Sequence, residues 1–550
     1  MRNVVIAAVL ACIFGPWGAS HVHAGIFTPC NAPKWTPNGA QNRIIVDVYL
    51  DPTLAGYLGV SQSQLNVAVA EATAIWNEQS SGGFALRWKG APPVGVSIPS
   101  LKAFYVFHDP VHACGGGTLM QTGGLYGIHA TIDVRKYSGV SNGQCISPIA
   151  WQFGSANDGQ GMADFTATLL HEFGHASSVV ADPHPGEGNC PPTFPGLPAA
   201  TQQSIMDQNG VAFAGRVMRS WDQHRIANLY GRRASYSSLL YRLWNNSTSQ
   251  WGGVTTAVAA PSYFSHRVSV SQGSTGNILM EWDDRSPTLY KRATVGRWNG
   301  TFIANSIQQL AASSNEAVEM PGAVALDPIN GRAIAVYLRQ STSQYNLPGD
   351  NNKVYYRLST NSGSTYGPEI DTGYTTRRPG VSAGFDPTTQ RFIIAFAKDP
   401  QNIVQFLTLP SAGGALYPTA FSTLKSWDPP SIACRAAPGG CRFLYRTLAL
   451  AIDVAVMSVG SSGAISSSGS VGIGYYGFGG PPAISWSEPE QKFHIAFLGN
   501  FGAIYSGTLG PTGTTFTGTP DIFNNQAVPV SIPALATTTL LSYAWFVRWW

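Results

Sequence analysis

The chain has 550 residues, more than one hydrophobic core organises, so two or three domains are expected. Charged residues make up 11% against 60 glycines and 37 prolines, which suits a loop- and strand-rich exported protein rather than a helical cytosolic one. A formal charge of +4 is small for this length, and with no supporting motif a nucleic-acid partner is excluded.

Residues 1–24 read as a secretory signal: Arg2, an apolar run from Val4 to Phe14, then Val22-His23-Ala24 with small residues at a cleavage point. The run is short for a membrane span of roughly 20 residues, so a secreted or extracytoplasmic location is expected. Residues 25–41 form a linker. Removal of the signal takes Cys12 and leaves Cys30, Cys114, Cys145, Cys190, Cys434 and Cys441. An even count in an exported chain favours disulfides, with Cys434–Cys441 and Cys114–Cys145 as local candidates.

Residues 42–233 carry mixed signals of strand and helix. Ile44 to Leu50 is β-branched and apolar and reads as a strand. Ser61 to Gln79 reads as a helix, with Ser61 and Gln64 spaced as a capping box and Leu65, Val69, Ala72 and Trp76 on one face. Phe84, Leu86 and Trp88 alternate as a half-buried strand, and Phe104 to Phe107 and Thr131 to Val134 are further strands.

The chemistry is concentrated in Leu169-Leu170-His171-Glu172-Phe173-Gly174-His175, of the form H-E-x-x-H. On a helix, positions i and i+4 share a face, so His171 and His175 can present two imidazole nitrogens to one zinc ion. Glu172 lies beside the first ligand, placed to take a proton from a metal-bound water. Phe165, Leu169, Phe173, Ala176 and Val180 follow helical spacing on the side away from the histidines, which predicts a buried face and a cleft-facing one. Met206 follows in Ser204-Ile205-Met206-Asp207, and Ser220 opens a further helix carrying Ile226, Leu229 and Tyr230 that Gly231 ends.

In this order of elements residues 42–233 resemble the metzincin zinc peptidases. Trp221 to Gly231, ending Leu229-Tyr230-Gly231, is similar to the closing helix of the matrixin branch, and Ala74-Ile75-Trp76-Asn77 to its first helix. The resemblance implies an α+β catalytic domain with a mixed twisted sheet and three helices, and it makes Met206 an apolar floor beneath the metal. It implies a zinc metalloendopeptidase acting on protein or peptide substrates, with Glu172 as general base. Departures concern the third ligand: the family pattern requires Gly where Ser178 stands and His where Ala181 stands. His184, before Pro185-Gly186, is the favoured third metal ligand, with Asp182 as the alternative. Matrixins carry structural metal sites before the helix, so structural calcium is a second metal the resemblance implies. The spacing of His108, His112 and His129 does not match that use, and solvated or core histidines describe them better, as for His224. Cys30 stands where a thiolate could cap the zinc, but it lacks the surrounding residues of matrixin propeptides, and a disulfide describes it better.

From residue 234 to 520 Ser, Gly, Thr and aromatic residues dominate, and a strand–turn–strand unit recurs about every fifty residues. Gly322 to Asp327 precedes Ala333 to Tyr337; Gly380 to Asp386 precedes Phe392 to Phe396; Pro430 to Ala433 precedes Phe443 to Tyr445; Pro482 to Trp486 precedes Phe493 to Phe497. Such repetition predicts an all-β domain, a β-propeller of five or six blades, in preference to a β-sandwich array. Ser359 to Tyr366 resembles the Asp-box of sialidase-like propellers, with Asn361 where Asp is usual. In those folds the box is a structural turn. No paired carboxylates stand in a glycosidase context, so the propeller is expected to bind a surface ligand. Residues 521–550 form an apolar tail, read as a closing strand, a short membrane anchor or a sorting segment.

Two functions follow: a secreted zinc-dependent endopeptidase, or a metallopeptidase-like recognition or adhesion protein of weak or no activity that binds through its propeller.

Overall fold

A computed structural model describes residues 35, 44–80, 83–97, 100–110, 119–123, 129–142, 144–153, 163–177, 218, 226, 229–230, 237–259, 268–271, 278–285, 291–303, 306–310, 322–339, 352–376, 380–398, 402–436, 440–499, 503–510, 516–522, 533–537 and 542–548. The expected signal segment, Cys30, Cys114, Cys190, His112, Asp182, His184, Met206 and His224 lie outside them.

The N-terminal unit begins with β1 (Ile44–Leu50), α1 (Leu54–Leu58) and α2 (Gln62–Gln79). It continues with β2 (Phe84–Gly90), β3 (Ala103–Phe107), β4 (Met120–Gly123) and β5 (Ala130–Val134). After the exposed hairpin β6 (Tyr137–Ser141) and β7 (Gln144–Pro148) come the short pair β8 (Trp151–Gln152) and β9 (Ala163–Asp164) and then α3 (Phe165–Ala176). The sheet runs β2-β1-β3-β5-β4, parallel except for β4, which lies antiparallel on β5 at the edge.

Helix α2 starts where the capping box predicts. The Gln64 amide donates to the Ser61 hydroxyl at 3.1 Å and the Ser61 amide to Gln64 Oε1 at 3.0 Å. Leu65, Val69, Ala72 and Trp76 are buried in one core with Val46, Val48, Phe84, Phe104 and α3 residues Leu169 and Phe173. Trp76 meets Phe84 and Phe173 edge-on, a favoured aromatic geometry.

The rest of the described chain is a six-bladed propeller. Five blades are four-stranded antiparallel sheets spanning 269–309, 323–376, 382–425, 431–476 and 483–522. Their innermost strands are Ser269–Ser271, Ala323–Asp327, Ser382–Asp386, Ser431–Cys434 and Ala483–Ser487. The sixth blade closes the ring from both ends of the domain: Ser238–Asn245 pairs with Ser542–Arg548, whose other neighbour is the inner strand Ala534–Thr537. Among the three readings of the apolar tail, the described residues therefore take the closing strand. No described helix is long and apolar enough to cross a membrane.

The repeated units have the expected registers, with Ala325 opposite Ile334, Gly384 opposite Ile393 and Ile484 opposite Ile495. Neighbouring blades pack strand face on strand face with no room to spare. A Cβ on Gly384 would lie 2.7 Å from Ile432 Cγ2 of the next blade, so glycine sets that approach. The segment Ser359 to Tyr366 that resembles an Asp-box is a turn between the third and outer strands of its blade. Asn361 Oδ1 accepts from the Thr365 amide at 2.8 Å, and the Ser359 hydroxyl accepts from Gly363 at 2.9 Å.

The fold corrects one expectation. The described residues are mostly strand, with three helices among them, and a metzincin α+β catalytic domain is not shown.

The two units meet across a buried ionic contact. Glu71 of α2 takes both carboxylate oxygens to Arg446 Nη1 at 2.7 Å, while Arg446 Nε donates to Asp428 at 2.7 Å. The Gly479 amide donates to Glu71 at 2.9 Å, and Trp427, Leu448 and Phe478 join the N-terminal core.

Candidate functional site

Helix α3 positions the H-E-x-x-H side chains. Asp164 caps its start, accepting from the Ala167 amide at 3.1 Å. Its last carbonyls are also satisfied: Trp35 Nε1 donates to Ala176 at 2.8 Å and the Ser177 hydroxyl to Phe173 at 2.8 Å. The Tyr230 hydroxyl donates to the Ser177 carbonyl, tying the predicted later helix to this end. Pinned at both ends, the helix holds its side chains in fixed directions.

His171 and His175 come together as their spacing predicts. Their Nε2 atoms are 3.1 Å apart, with the rings nearly perpendicular at 79°. Two tetrahedral nitrogen ligands at 2.0–2.1 Å from zinc stand roughly 3.3 Å apart, so the pair fits one such ion. The surroundings differ from expectation in one respect. Every residue of α3 is buried, and His171 and His175 are only 6% and 1% exposed. The helix is covered on both faces, and β4 packs against it at Glu172.

That strand supplies a residue the sequence did not single out. The Thr122 hydroxyl donates to Glu172 Oε2 at 2.6 Å and sits 3.2 Å from the Glu172 carbonyl. Burial pushes the Glu172 carboxyl up to about 7, against the lowering effect of side-chain and backbone hydrogen bonds from Thr122. A threonine fifty positions away carries no signal in a single sequence.

His108 and His129 are both half-buried, and His112 and His224 lie outside the described residues. His108 stacks on Tyr57 with ring centres 3.5 Å apart and planes 5° from parallel. Burial lowers its pKa, outweighing Asp51 and Asp109, and burial lowers that of His129 as well. The favoured third ligand His184 and its alternative Asp182 lie outside the described residues, as does part of the region to which the resemblance assigns structural calcium. Among the described residues, Asp386, Cys434 and Cys441 form one group of three potential metal donors, but both sulfurs are joined in a disulfide. Cys145 is disulfide-bonded, and its expected partner Cys114 lies outside the described residues.

No protein-family model matches the chain, and no curated protein does. Among solved structures it is similar to the NanB sialidase of Streptococcus pneumoniae, at 9% identity and a TM-score of 0.37 over 50% of this chain and 63% of that one. The intramolecular trans-sialidase of Ruminococcus gnavus gives 8% identity and a TM-score of 0.37, covering 50% of this chain and 88% of that one. The Trypanosoma rangeli sialidase gives 10% identity and a TM-score of 0.36, covering 57% and 59%. These neighbours are sialidase-type propellers. The chain spans less than two thirds of the NanB and Trypanosoma rangeli chains, and at these values the likeness says nothing of chemistry.

The expectation of a zinc metalloendopeptidase is corrected. The described residues are dominated by six β-blades with three helices outside them. The chain shares with the peptidases a local five-residue pattern, and a pattern of that length recurs on unrelated helices.

Proposed function

We propose that the chain is an extracytoplasmic recognition protein whose N-terminal unit holds a zinc ion and whose propeller is the ligand-binding body. The convergence of His171 and His175 Nε2 atoms, 3.1 Å apart on a helix fixed at both ends, carries this reading. His184, or Asp182 in its place, is the proposed additional donor. A zinc ion there cross-links α3 to the chain that follows it and adds its binding energy to folding. Within the site, Thr122 holds the Glu172 carboxylate at 2.6 Å and so fixes the polar wall beside the imidazoles.

The propeller suits the recognition role because its inner strands converge from six blades on one axis. The ionic contact of Glu71, Arg446 and Asp428 fixes the two units relative to each other, so a ligand on one is displayed at a set distance from the other.

Equilibrium dialysis against zinc, with metal analysis of the full chain, tests the metal assignment. The wild type is expected to retain one zinc per chain and the His171→Ala/His175→Ala variant none, with a zinc-dependent rise in thermal midpoint in the wild type only. Equal retention by both overturns the assignment.

A further inference from the structure

The connection from β2 to β3 carries an apolar segment that the fold leaves uncovered. Both strands lie parallel beside β1, so the chain leaves one end of the sheet and must return to the other. On the way, Ala91-Pro92-Pro93-Val94-Gly95-Val96 offers no polar side chain, and all but the half-buried Pro92 are exposed. Val94 is the most exposed large apolar side chain among the described residues, and Val96 is 40% exposed.

Local geometry holds the segment out. The Val96 amide donates to the Pro93 carbonyl at 3.3 Å, closing a turn with Val94 and Gly95 at its centre. Gly95 has a φ of +77°, the left-handed conformation that the third position of such a turn requires, and this puts Val94 at the apex. Pro92 and Pro93 carry no amide donor and stiffen the approach to the turn. The next turn is also local, with the Ser100 amide donating to the Ser97 carbonyl at 3.0 Å. A Cβ placed on Gly90 or Gly95 would meet nothing within 4 Å, so the segment stands clear of the body.

The charges beside it are of one sign. Lys89 precedes the segment and Lys102 follows it; both are exposed, and neither is ion-paired among the described residues. The preceding cation, Arg87, is held by Asp47 at 2.6 Å. Between Glu78 and Asp109 the sequence has no acidic residue. A single exposed valine is ordinary on a protein surface. A fixed apolar apex with an unpaired cation on each flank suits the boundary of a bilayer, where apolar groups reach the acyl chains and lysines meet phosphates.

We propose that the turn of residues 91–97, with Lys89 and Lys102, docks on an anionic lipid bilayer. Val94 and Val96 enter the boundary between headgroups and acyl chains, and the two lysines meet lipid phosphates. The contact is peripheral and reversible, because two valines and two lysines supply far less than a spanning helix. It holds the propeller beside a lipid surface and requires neither the zinc site nor a propeller ligand.

Co-sedimentation of the full chain with vesicles of phosphatidylcholine, alone or mixed with phosphatidylglycerol, tests the assignment. Partition into the anionic vesicles is expected to be saturable, to exceed that into neutral ones by about tenfold or more, and to weaken as salt rises. Lys89→Gln and Lys102→Gln are each expected to weaken it by about fivefold. Val94→Ser/Val96→Ser removes apolar surface without changing charge and is expected to weaken it by about tenfold or more. Val254→Ser, at an exposed valine of the propeller, is expected to partition as wild type. Unchanged thermal midpoints in these surface variants separate lost docking from lost folding. Equal partition into neutral and anionic vesicles, wild-type partition in the lysine or the valine variants, or no saturable partition each overturns the proposal. So does a concentration-dependent dimer in sedimentation equilibrium that Val94→Ser/Val96→Ser abolishes, since it assigns the apex to a second copy of the chain.

Discussion

Replacing Arg446 by Met removes the centre of the contact between the two units. Its guanidinium lies 2.7 Å from both oxygens of Glu71 and 2.6 Å from Asp428, with side-chain exposures of 3%, 1% and 7% for Arg446, Glu71 and Asp428. Burial alone would disfavour the Arg446 charge, but Asp428 and Glu71 outweigh it and raise its pKa. Arg446→Met leaves two buried carboxylates facing each other, with the Gly479 amide as a remaining donor to Glu71. Leaving a buried charge unpaired in this way costs about 3–5 kcal/mol. With a urea dependence of about 3 kcal/mol per molar, the upper end for small proteins, the midpoint is expected to fall by on the order of 1–2 M. The triple variant Glu71→Met/Asp428→Leu/Arg446→Met removes every charge together and is expected to recover most of the loss. Urea unfolding followed by tryptophan fluorescence measures both. A single variant within about 1 kcal/mol of wild type refutes the electrostatic reasoning. A triple variant as unstable as the single would assign the loss to packing instead.

Two further outcomes are expected of the propeller. The Cys434–Cys441 disulfide closes a hairpin with a sequence separation of 7 at a place where the two blades before it use an aspartate to hold the turn. Replacing both cysteines by serine is expected to lower stability by about 2 kcal/mol, read as a drop in thermal midpoint; an unchanged midpoint would contradict it. Burial would raise the Glu490 pKa, but hydrogen bonds from His494 at 2.5 Å and Trp244 at 2.7 Å, with smaller contributions, bring it below its ordinary value. A depressed carboxyl stabilises the fold above its unfolded pKa of roughly 4.3, and that stability is lost as pH falls through the folded value. Thermal midpoints from neutral to acid pH should therefore fall less steeply in Glu490→Gln than in wild type, and parallel curves would contradict the assignment.

Local signals in the sequence are legible where neighbours in the chain determine the structure. The box of Ser61 and Gln64 marks the start of α2, and the spacing of His171 and His175 brings their nitrogens together. Alternating apolar residues from Ala323 to Tyr337 and from Ser382 to Phe396 define the strand pairs of two blades, and the turn of Ser359 to Tyr366 falls between the outer strands of its blade. Other features depend on distant partners and leave no periodic trace. Thr122 reaches Glu172 across 50 positions, and Arg446 reaches Glu71 across 375. The closure of the sixth blade joins Leu240 to Phe546, so the strand reading of an apolar tail, set beside an anchor or a sorting segment, becomes visible only in the ring it completes. The peptidase expectation failed for a related reason: a five-residue pattern determines the geometry of one helix turn and little of the domain around it.

A zinc-holding recognition protein, as proposed, turns over no peptide. A mass-spectrometric survey of a diverse peptide library after incubation with the zinc-loaded full chain tests this. The expected result is one bound zinc per chain and no cleavage above a Glu172→Gln control. Rapid cleavage by the wild type that disappears in Glu172→Gln would contradict it.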